Sequence, residues 1–253
     1  MDRVDALKLL DEVAELLKRA DDLGMREIRA PDKYLMWLFS RTRSTYVAAR
    51  LLIRESLLDE AMQLTRSLMT DALRLLELNR VGSEREAYLL HWVNESLTEW
   101  GHLIKEAVRV GIEDDPQPVL RKIDEHRAAL TRYQERHEIG RLKRLRSEKQ
   151  LAIQHRLEHE YWDFEYVNNV VHGSPLIADH RIARRDDGTM LLMTYLRDDD
   201  WTIRTALMVA QWALHAYGGF LGAMAPEMGR PTEIAAYLAR IETANQELGA
   251  STR

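Results

Sequence analysis

The length of the stretches that contain no helix breaker is the feature that most constrains this fold. From Asp32 to Val81 the chain has neither glycine nor proline, and only 6 prolines and 12 glycines occur among its 253 residues. Leucine, alanine, glutamate and arginine, which are strong helix formers, are abundant. Long α-helices are therefore favoured over sheets, and the sequence predicts an all-α helical bundle.

Apolar residues recur at spacings of three and four, which is the period of an amphipathic helix. The first such pattern predicts a helix over residues 3–23. Further helices are predicted over residues 33–57, 58–79, 84–110, 119–150, 151–172, 201–221 and 231–248. The segment 119–150 is highly charged with a narrow apolar stripe, so we expect it to belong to a long charged helical pair.

Two segments interrupt the helical patterns. Asp186, Asp187 and Gly188 separate two short apolar or alternating runs, which predicts a small β-hairpin insertion or an extended loop. The loop from Gly111 to Pro118 contains two prolines and is a candidate hinge. We predict a single domain over residues 1–253, with a sub-division into residues 1–111 and 119–253 as the alternative.

Composition excludes several classes of function. The net charge of −5 argues against a generally basic nucleic-acid surface but leaves room for a local basic patch. The absence of cysteine excludes disulfides, a thiol nucleophile and a thiolate metal site. No apolar run approaches the length needed to span a bilayer, and the N-terminal residues lack the apolar core of a signal peptide. We expect a soluble, cytoplasmic protein that does not enter a membrane.

The densest set of chemically capable side chains lies on the predicted helix over residues 151–172. This stretch has no glycine or proline, and Gly173 and Pro175 follow it as a helix stop, which places His172 in the last turn. Three polar residues lie within about 40° of His172 on the helical wheel, namely Tyr161, Glu165 and Asn168. This face is a candidate half-buried site. Alternatively, His172 only caps exposed carbonyls at the negative end of the helix dipole.

Four arginines are candidates for binding an anion. Arg43, Arg50 and Arg54 share one face of the second predicted helix and form either a solvated surface or a phosphate-facing rim. Arg66 falls within an apolar stripe and therefore needs a partner. That partner is either a bound anion or a carboxylate such as Glu55, Glu60 or Asp71.

The histidine spacings do not define a metal centre. His155 and His159 are separated by one helical turn, but Arg156 stands where the metalloprotease pattern requires glutamate. His91 and His102 share a face without a third ligand nearby. We therefore predict no metal site and no cofactor.

The order RSTYVAARLLIRESLLDEAMQLTRSLMTDALRLLEL, followed about ninety residues later by a helix ending NNVVHGSP, resembles a bacterial helical family of unknown function. Through its helix-terminal histidine motif the chain is also similar to the HEPN (higher eukaryotes and prokaryotes nucleotide-binding) superfamily. The resemblance covers residues 34–175. HEPN domains are helical bundles, commonly dimeric, and many are metal-independent ribonucleases in toxin, antiviral and RNA-processing systems.

The resemblance implies particular roles for residues of this chain. Asn168 and His172 match the Asn and His of the HEPN motif, whereas residues 165–167 lack the motif arginine. His172 would be the general acid or base, Asn168 would support it, and Arg66 would take over the clamping of the phosphate. We expect Arg66 and His172 to lie near a shared cleft. The residues expected to contact substrate are Asn169, Tyr161, Arg43, Arg50 and Arg54.

Two classes of function follow. The first is an HEPN-like endoribonuclease of a toxin or phage-defence system, which acts on RNA as a homodimer and is restrained by an antitoxin or another protein partner. The second is a noncatalytic helical module that binds a protein or a nucleotide. A cleft in which basic groups converge near an exposed His172 favours the enzyme, and a His172 buried against backbone favours the module.

Overall fold

The computed structural model describes residues 1–23, 30–112, 115–140, 146–162, 167, 182–184, 190–192, 199–225 and 232–251. Within these ranges the protein is an all-α helical bundle. Its eight described helices are α1 (Arg3–Lys18), α2 (Ala30–Arg54), α3 (Leu58–Val81), α4 (Arg85–Arg109), α5 (Gln117–Arg136), α6 (Glu148–His155), α7 (Asp199–Met224) and α8 (Thr232–Ser251). None of them is long and apolar enough to cross a lipid bilayer.

Helix periodicity predicted most of these elements. The predictions over residues 58–79, 84–110, 201–221 and 231–248 correspond to α3, α4, α7 and α8 with ends shifted by a few residues. The first predicted helix is α1 followed by a short 3-10 helix over Arg19–Asp22. Asp2 caps α1, because its side chain accepts a hydrogen bond from the Asp5 amide at 2.8 Å.

Two predicted helices are wrong in their length. The helix predicted over 119–150 ends at Arg136, and the one predicted over 151–172 stops at His155. Each break lies at a non-glycine residue with a left-handed backbone, Glu138 (φ 52°) and Arg156 (φ 58°). A further helical segment over residues 158–162 follows the second break. Residues 168–175, which include the predicted motif and helix stop, lie outside the described residues.

The described residues include one pair of short strands. β1 (Ile182–Arg184) and β2 (Met190–Leu192) pair antiparallel, with Ala183 opposite Leu191. Residues 185–189, which contain the Asp186–Gly188 sequence of the predicted turn, lie outside the described part of the chain. The hairpin turn therefore stays a prediction.

The chain divides into two compact units. The first unit consists of Met1–Arg80 and Glu148–Arg253, and the second consists of Val81–Ser147. Residues 111–118, at which the sequence suggested a boundary, fall within the second unit, and α5 already begins at Gln117.

Helix α7 is the centre of the first unit. It packs against α1, α2 and α8, and most of its residues are buried. Phe39 of α2 stacks on Phe220 of α7 with ring centroids 4.2 Å apart. Gly219 lets the backbone of α7 approach α3 so closely that an added Cβ would lie 2.7 Å from the Leu76 nitrogen. The apolar surface of α7 thus organises the core of this unit.

In the second unit α4 and α5 pack as an antiparallel pair. The hydroxyl of Tyr133 on α5 donates to Glu86 near the start of α4, and Arg127 donates to Thr98 at 3.2 Å. Residues later in α5 therefore contact residues earlier in α4, which defines the antiparallel direction. The pair includes much of the charged segment for which the sequence predicted a helical pair.

Candidate functional site

The arginine stripe of α2 is paired with aspartates. Arg43 donates to Asp21 at 3.0 Å, and Arg50 donates to Asp11 at 3.1 Å. Arg54 binds the other oxygen of Asp11. Hydrogen bonding from Arg43 lowers the pKa of the Asp21 carboxyl below its ordinary value. These contacts connect α2 to α1 and the 3-10 turn after it, so a phosphate bound on this face would compete with aspartate for each guanidinium.

Asp71, one of the carboxylates expected to pair with Arg66, is bound by Arg41 of α2. The Asp71 side chain is fully buried on α3 and accepts a hydrogen bond from Arg41 Nε at 2.8 Å. The second oxygen of Asp71 accepts from the same guanidinium, which also lies 4.9 Å from the ring centroid of Trp37. Arg66 is partly buried on α3. The buried carboxylate therefore joins α2 to α3.

We expect the stability of the protein to depend on pH through Asp71. Burial raises the pKa of its carboxyl above the ordinary value, and Arg41 opposes this shift only in part. When a carboxyl binds its proton more tightly in the folded state, the protein loses stability as the pH rises from the ordinary pKa of that carboxyl through its pKa in the folded state. The side chain in Asp71→Asn cannot ionise, so this contribution to the pH dependence of stability should be absent from the variant.

The measurement is urea unfolding of the parent and Asp71→Asn from about pH 4 to about pH 7, where carboxyls titrate. The stability of the parent relative to the variant should fall as the pH rises. The exposed Asp5→Asn serves as the control. Parallel pH profiles for the parent and Asp71→Asn would contradict the expectation.

The first unit contains a cleft of about 430 Å³ between α3, residues 158–162, α7 and α8. We call it the Trp162–Arg204 cleft after two of the residues that line it. This volume is in the range of small-molecule and nucleotide sites. The described residues that line it combine aromatic, thioether, cationic and amide groups: Met62, Trp162, Trp201, Arg204, Thr205, Met208, Gln211 and Asn245. Such a cleft offers stacking surfaces, a positive charge and hydrogen-bonding groups together.

The polar groups of this cleft differ in how they are held. Gln211 Nε2 donates to Glu160 Oε1 at 3.2 Å, which orients the amide. The hydroxyl of Thr205 donates to the Trp201 carbonyl at 2.8 Å. Arg204 is partly exposed and forms no hydrogen bond or ion pair with another described residue. Its charge is therefore the one best placed to meet a negatively charged ligand in this cleft.

Val167 places the predicted motif next to the cleft in the chain. The Val167 side chain is fully buried with Met62, and Trp201 and Met208 pack against these two residues. His172 is five positions further along.

Of the other predicted site residues, the structure describes Arg66 and Tyr161. Arg66 follows Met62 by one turn on the same side of α3, and Tyr161 is partly buried beside Trp162. Asn168, Asn169 and His172 lie outside the described residues, so the shared cleft of Arg66 and His172 stays a prediction.

The two histidines spaced by one turn lie on different helical segments. His155 is on α6, with Nε2 3.3 Å from Glu77 Oε2, whereas His159 follows the break at Arg156. Glu77 is buried on α3 and accepts hydrogen bonds from Arg80 at 2.7 and 2.8 Å. In the described part of the chain no three histidine, aspartate or glutamate side chains are grouped to hold a metal ion.

Sequence reasoning missed the cleft itself. Trp201 and Arg204 are three residues apart on one side of the first two turns of α7, which was the available local signal. Met62, Trp162 and Asn245 come from other segments, and no sequence pattern joins them to Trp201. Comparison of the chain with protein-family models, with curated proteins and with solved structures found no match.

Proposed function

We propose that this protein binds single-stranded RNA in the Trp162–Arg204 cleft and cleaves it without a metal ion, with His172 as the acid or base. The observation that carries the proposal is a cleft with two tryptophans and a partly exposed arginine that has no ion pair among the described residues, next to Val167. Unpaired bases stack on aromatic side chains, and each stacked base contributes about 1–3 kcal/mol to binding. The HEPN-like motif begins at the next residue, Asn168.

The reaction needs a base, an acid and a cation. A base removes the proton of the ribose 2′-hydroxyl, the 2′-oxygen attacks phosphorus, and the bond from phosphorus to the 5′-oxygen breaks. The leaving 5′-oxygen takes up a proton from the acid, which leaves a 2′,3′-cyclic phosphate and a 5′-hydroxyl. A cation stabilises the charge that develops on the phosphorus oxygens.

Two arginines are candidates for the cation, since the motif arginine is absent. Arg66 is one turn from Met62, a lining residue, and Arg204 lines the cleft directly. Asn168 and Asn169 would orient the imidazole or the RNA, as the resemblance implies. Because Arg43, Arg50 and Arg54 already bind aspartates, we assign them a secondary role in contacting the RNA backbone.

We expect the purified protein to cleave a labelled pool of single-stranded RNA in the presence of EDTA. His172→Ala should lose activity by about 100-fold or more, because general acid–base catalysis contributes roughly 10²–10⁴-fold. His126→Ala, which removes an exposed histidine from α5, is the matched control and should retain the parent rate. Equal cleavage by the parent and His172→Ala would eliminate His172 as the catalytic group.

Binding is measured separately with the same RNA. Trp162 is 72% exposed, so Trp162→Ala should leave the fold intact and weaken RNA binding by about tenfold through the loss of one stacking surface. The control is Trp100→Ala, which removes a tryptophan that is 60% exposed on α4. RNA binding without any cleavage by the parent would favour the noncatalytic module, and no RNA binding by the parent would refute the proposed ribonuclease.

A further inference from the structure

We propose that a groove between α4 and α5 in the second unit binds a phosphate group. The groove has a volume of about 260 Å³ and lies in a different unit from the Trp162–Arg204 cleft. Its lining side chains include two cations, Lys105 and Arg127, and the imidazole of His102, and Asp124 is the one carboxylate among the described lining residues. The groove is therefore positively charged within a protein whose net charge is −5.

Arg127 is oriented by contacts on both helices. Its Nη2 donates to Thr98 Oγ1 at 3.2 Å, and its Nη1 lies 3.5 Å from Asp124 Oδ1. The Thr98 hydroxyl in turn donates to the Asn94 carbonyl at 3.0 Å. A guanidinium carries five N–H donors, so these contacts fix its plane and leave donors for a ligand.

The floor of the groove leaves the guanidinium open. Gly101 presents no side chain, and an added Cβ would lie 4.0 Å from Arg127 Nη2. Ile123 is 5% exposed and supplies an apolar base beside Leu120. Both residues belong to the first two turns of α5.

The presence of Lys105 and His102 indicates a binding site and not only a contact that holds α4 and α5 together. Both are exposed, and neither forms a hydrogen bond or ion pair with another residue in the described ranges. The contact of Arg127 with Thr98 explains the packing of α4 on α5, but it does not require two further basic groups at the same groove. A fork of donors next to an ammonium group fits the three acceptor oxygens of a phosphate.

The test uses inorganic phosphate as the probe on the full chain. Isothermal titration with phosphate, at an ionic strength held constant with chloride, should show saturable binding by the parent. Lys105→Gln should weaken this binding at least fivefold, and Arg127→Lys, which keeps the charge and loses the fork, should also weaken it. Lys122→Gln removes an exposed lysine of α5 that does not line the groove and should leave binding unchanged.

Two results would overturn the proposal. One is an absence of saturable phosphate binding by the parent, and the other is an equal affinity of Lys105→Gln and Lys122→Gln for phosphate. Circular dichroism of each variant separates loss of binding from loss of fold. Because inorganic phosphate does not need the Trp162–Arg204 cleft, this test can fail or succeed independently of the proposed ribonuclease.

The phosphate could belong to an RNA backbone or to a small phosphorylated ligand. Titrating the same variants with a single-stranded RNA octamer and with a nucleoside monophosphate distinguishes these two ligands. If the groove contacts an RNA backbone, Lys105→Gln should reduce the slope of log affinity against log salt by about one. An unchanged slope, with binding of the monophosphate lost in Lys105→Gln, would assign the groove to a small phosphorylated ligand.

Discussion

Gly219→Ala is expected to lower the free energy of unfolding of the first unit by about 1–3 kcal/mol, the range for a packed core that is forced to accept an extra group. An ideal Cβ at this position would lie 2.7 Å from the Leu76 nitrogen and 2.8 Å from the Leu75 carbonyl carbon. Both atoms belong to the backbone of α3 and cannot rotate away. The new methyl group can be accommodated only if α7 and α3 move apart.

Two other glycines provide controls for the same substitution. A Cβ at Gly222 would meet the Asn79 side chain at 2.5 Å, but Asn79 is exposed and can turn aside, so Gly222→Ala should cost less. Nothing lies within 4 Å of a Cβ at Gly249 in α8. Gly249→Ala should therefore stabilise the helix by about 0.5–1 kcal/mol. In urea unfolding, Gly219→Ala should have the lowest midpoint, Gly222→Ala an intermediate one and Gly249→Ala the highest. Equal midpoints for Gly219→Ala and Gly249→Ala would contradict the close approach of α7 to α3.

Trp212→Ala is expected to cost about 3–5 kcal/mol, as for other buried aromatic residues that are truncated to alanine. Trp212 is fully buried on α7, and its ring lies edge-on to His215 with centroids 5.7 Å apart. Removing the indole leaves a cavity at the centre of the first unit, and the neighbouring helices can fill it only in part. Guanidinium unfolding followed by circular dichroism measures the loss.

Two further tryptophan variants make this experiment decisive. Trp212→Phe keeps most of the buried volume, so it should retain a measurable folded state even if Trp212→Ala does not fold. Trp100→Ala removes a tryptophan that is 60% exposed on α4 and should change stability by less than about 0.5 kcal/mol. An unfolding midpoint for Trp212→Ala equal to that of the parent would show that Trp212 is not a core residue.

Helix existence was predictable from this sequence, whereas two helix ends were not. Periodicity locates helices because apolar residues must share a face, and it succeeded for α3, α4, α7 and α8. The prediction used glycine and proline as stop signals, but α6 ends with Arg156 in the left-handed region. The Leu157 amide donates to the Ala152 carbonyl at 2.9 Å and the Arg156 amide to the Ile153 carbonyl at 3.2 Å. These two hydrogen bonds and the burial of Leu157 offset a backbone cost of about 1–2 kcal/mol.

The candidate site was less predictable because its contacts join distant segments. The shared face of Arg43, Arg50 and Arg54 followed from helix geometry, but their aspartate partners lie on α1 and the 3-10 turn after it. The same limit applies to Asp71, which Arg41 binds from α2. The cleft residues on α7 follow helical spacing, but Met62, Trp162 and Asn245 come from three other segments, and no local spacing joins these to α7.

The insertion of the second unit within the first imposes an order on folding during synthesis. Helices α1 and α2 pack on α7, which begins at Asp199, whereas the second unit is complete at Ser147. Ribosomes add about 5–20 residues per second, so α1, α2 and α3 wait on the order of 10 s for α7 to be made. The second unit can form in that interval, whereas the apolar faces of α1 and α2 that pack on α7 stay uncovered until α7 is made.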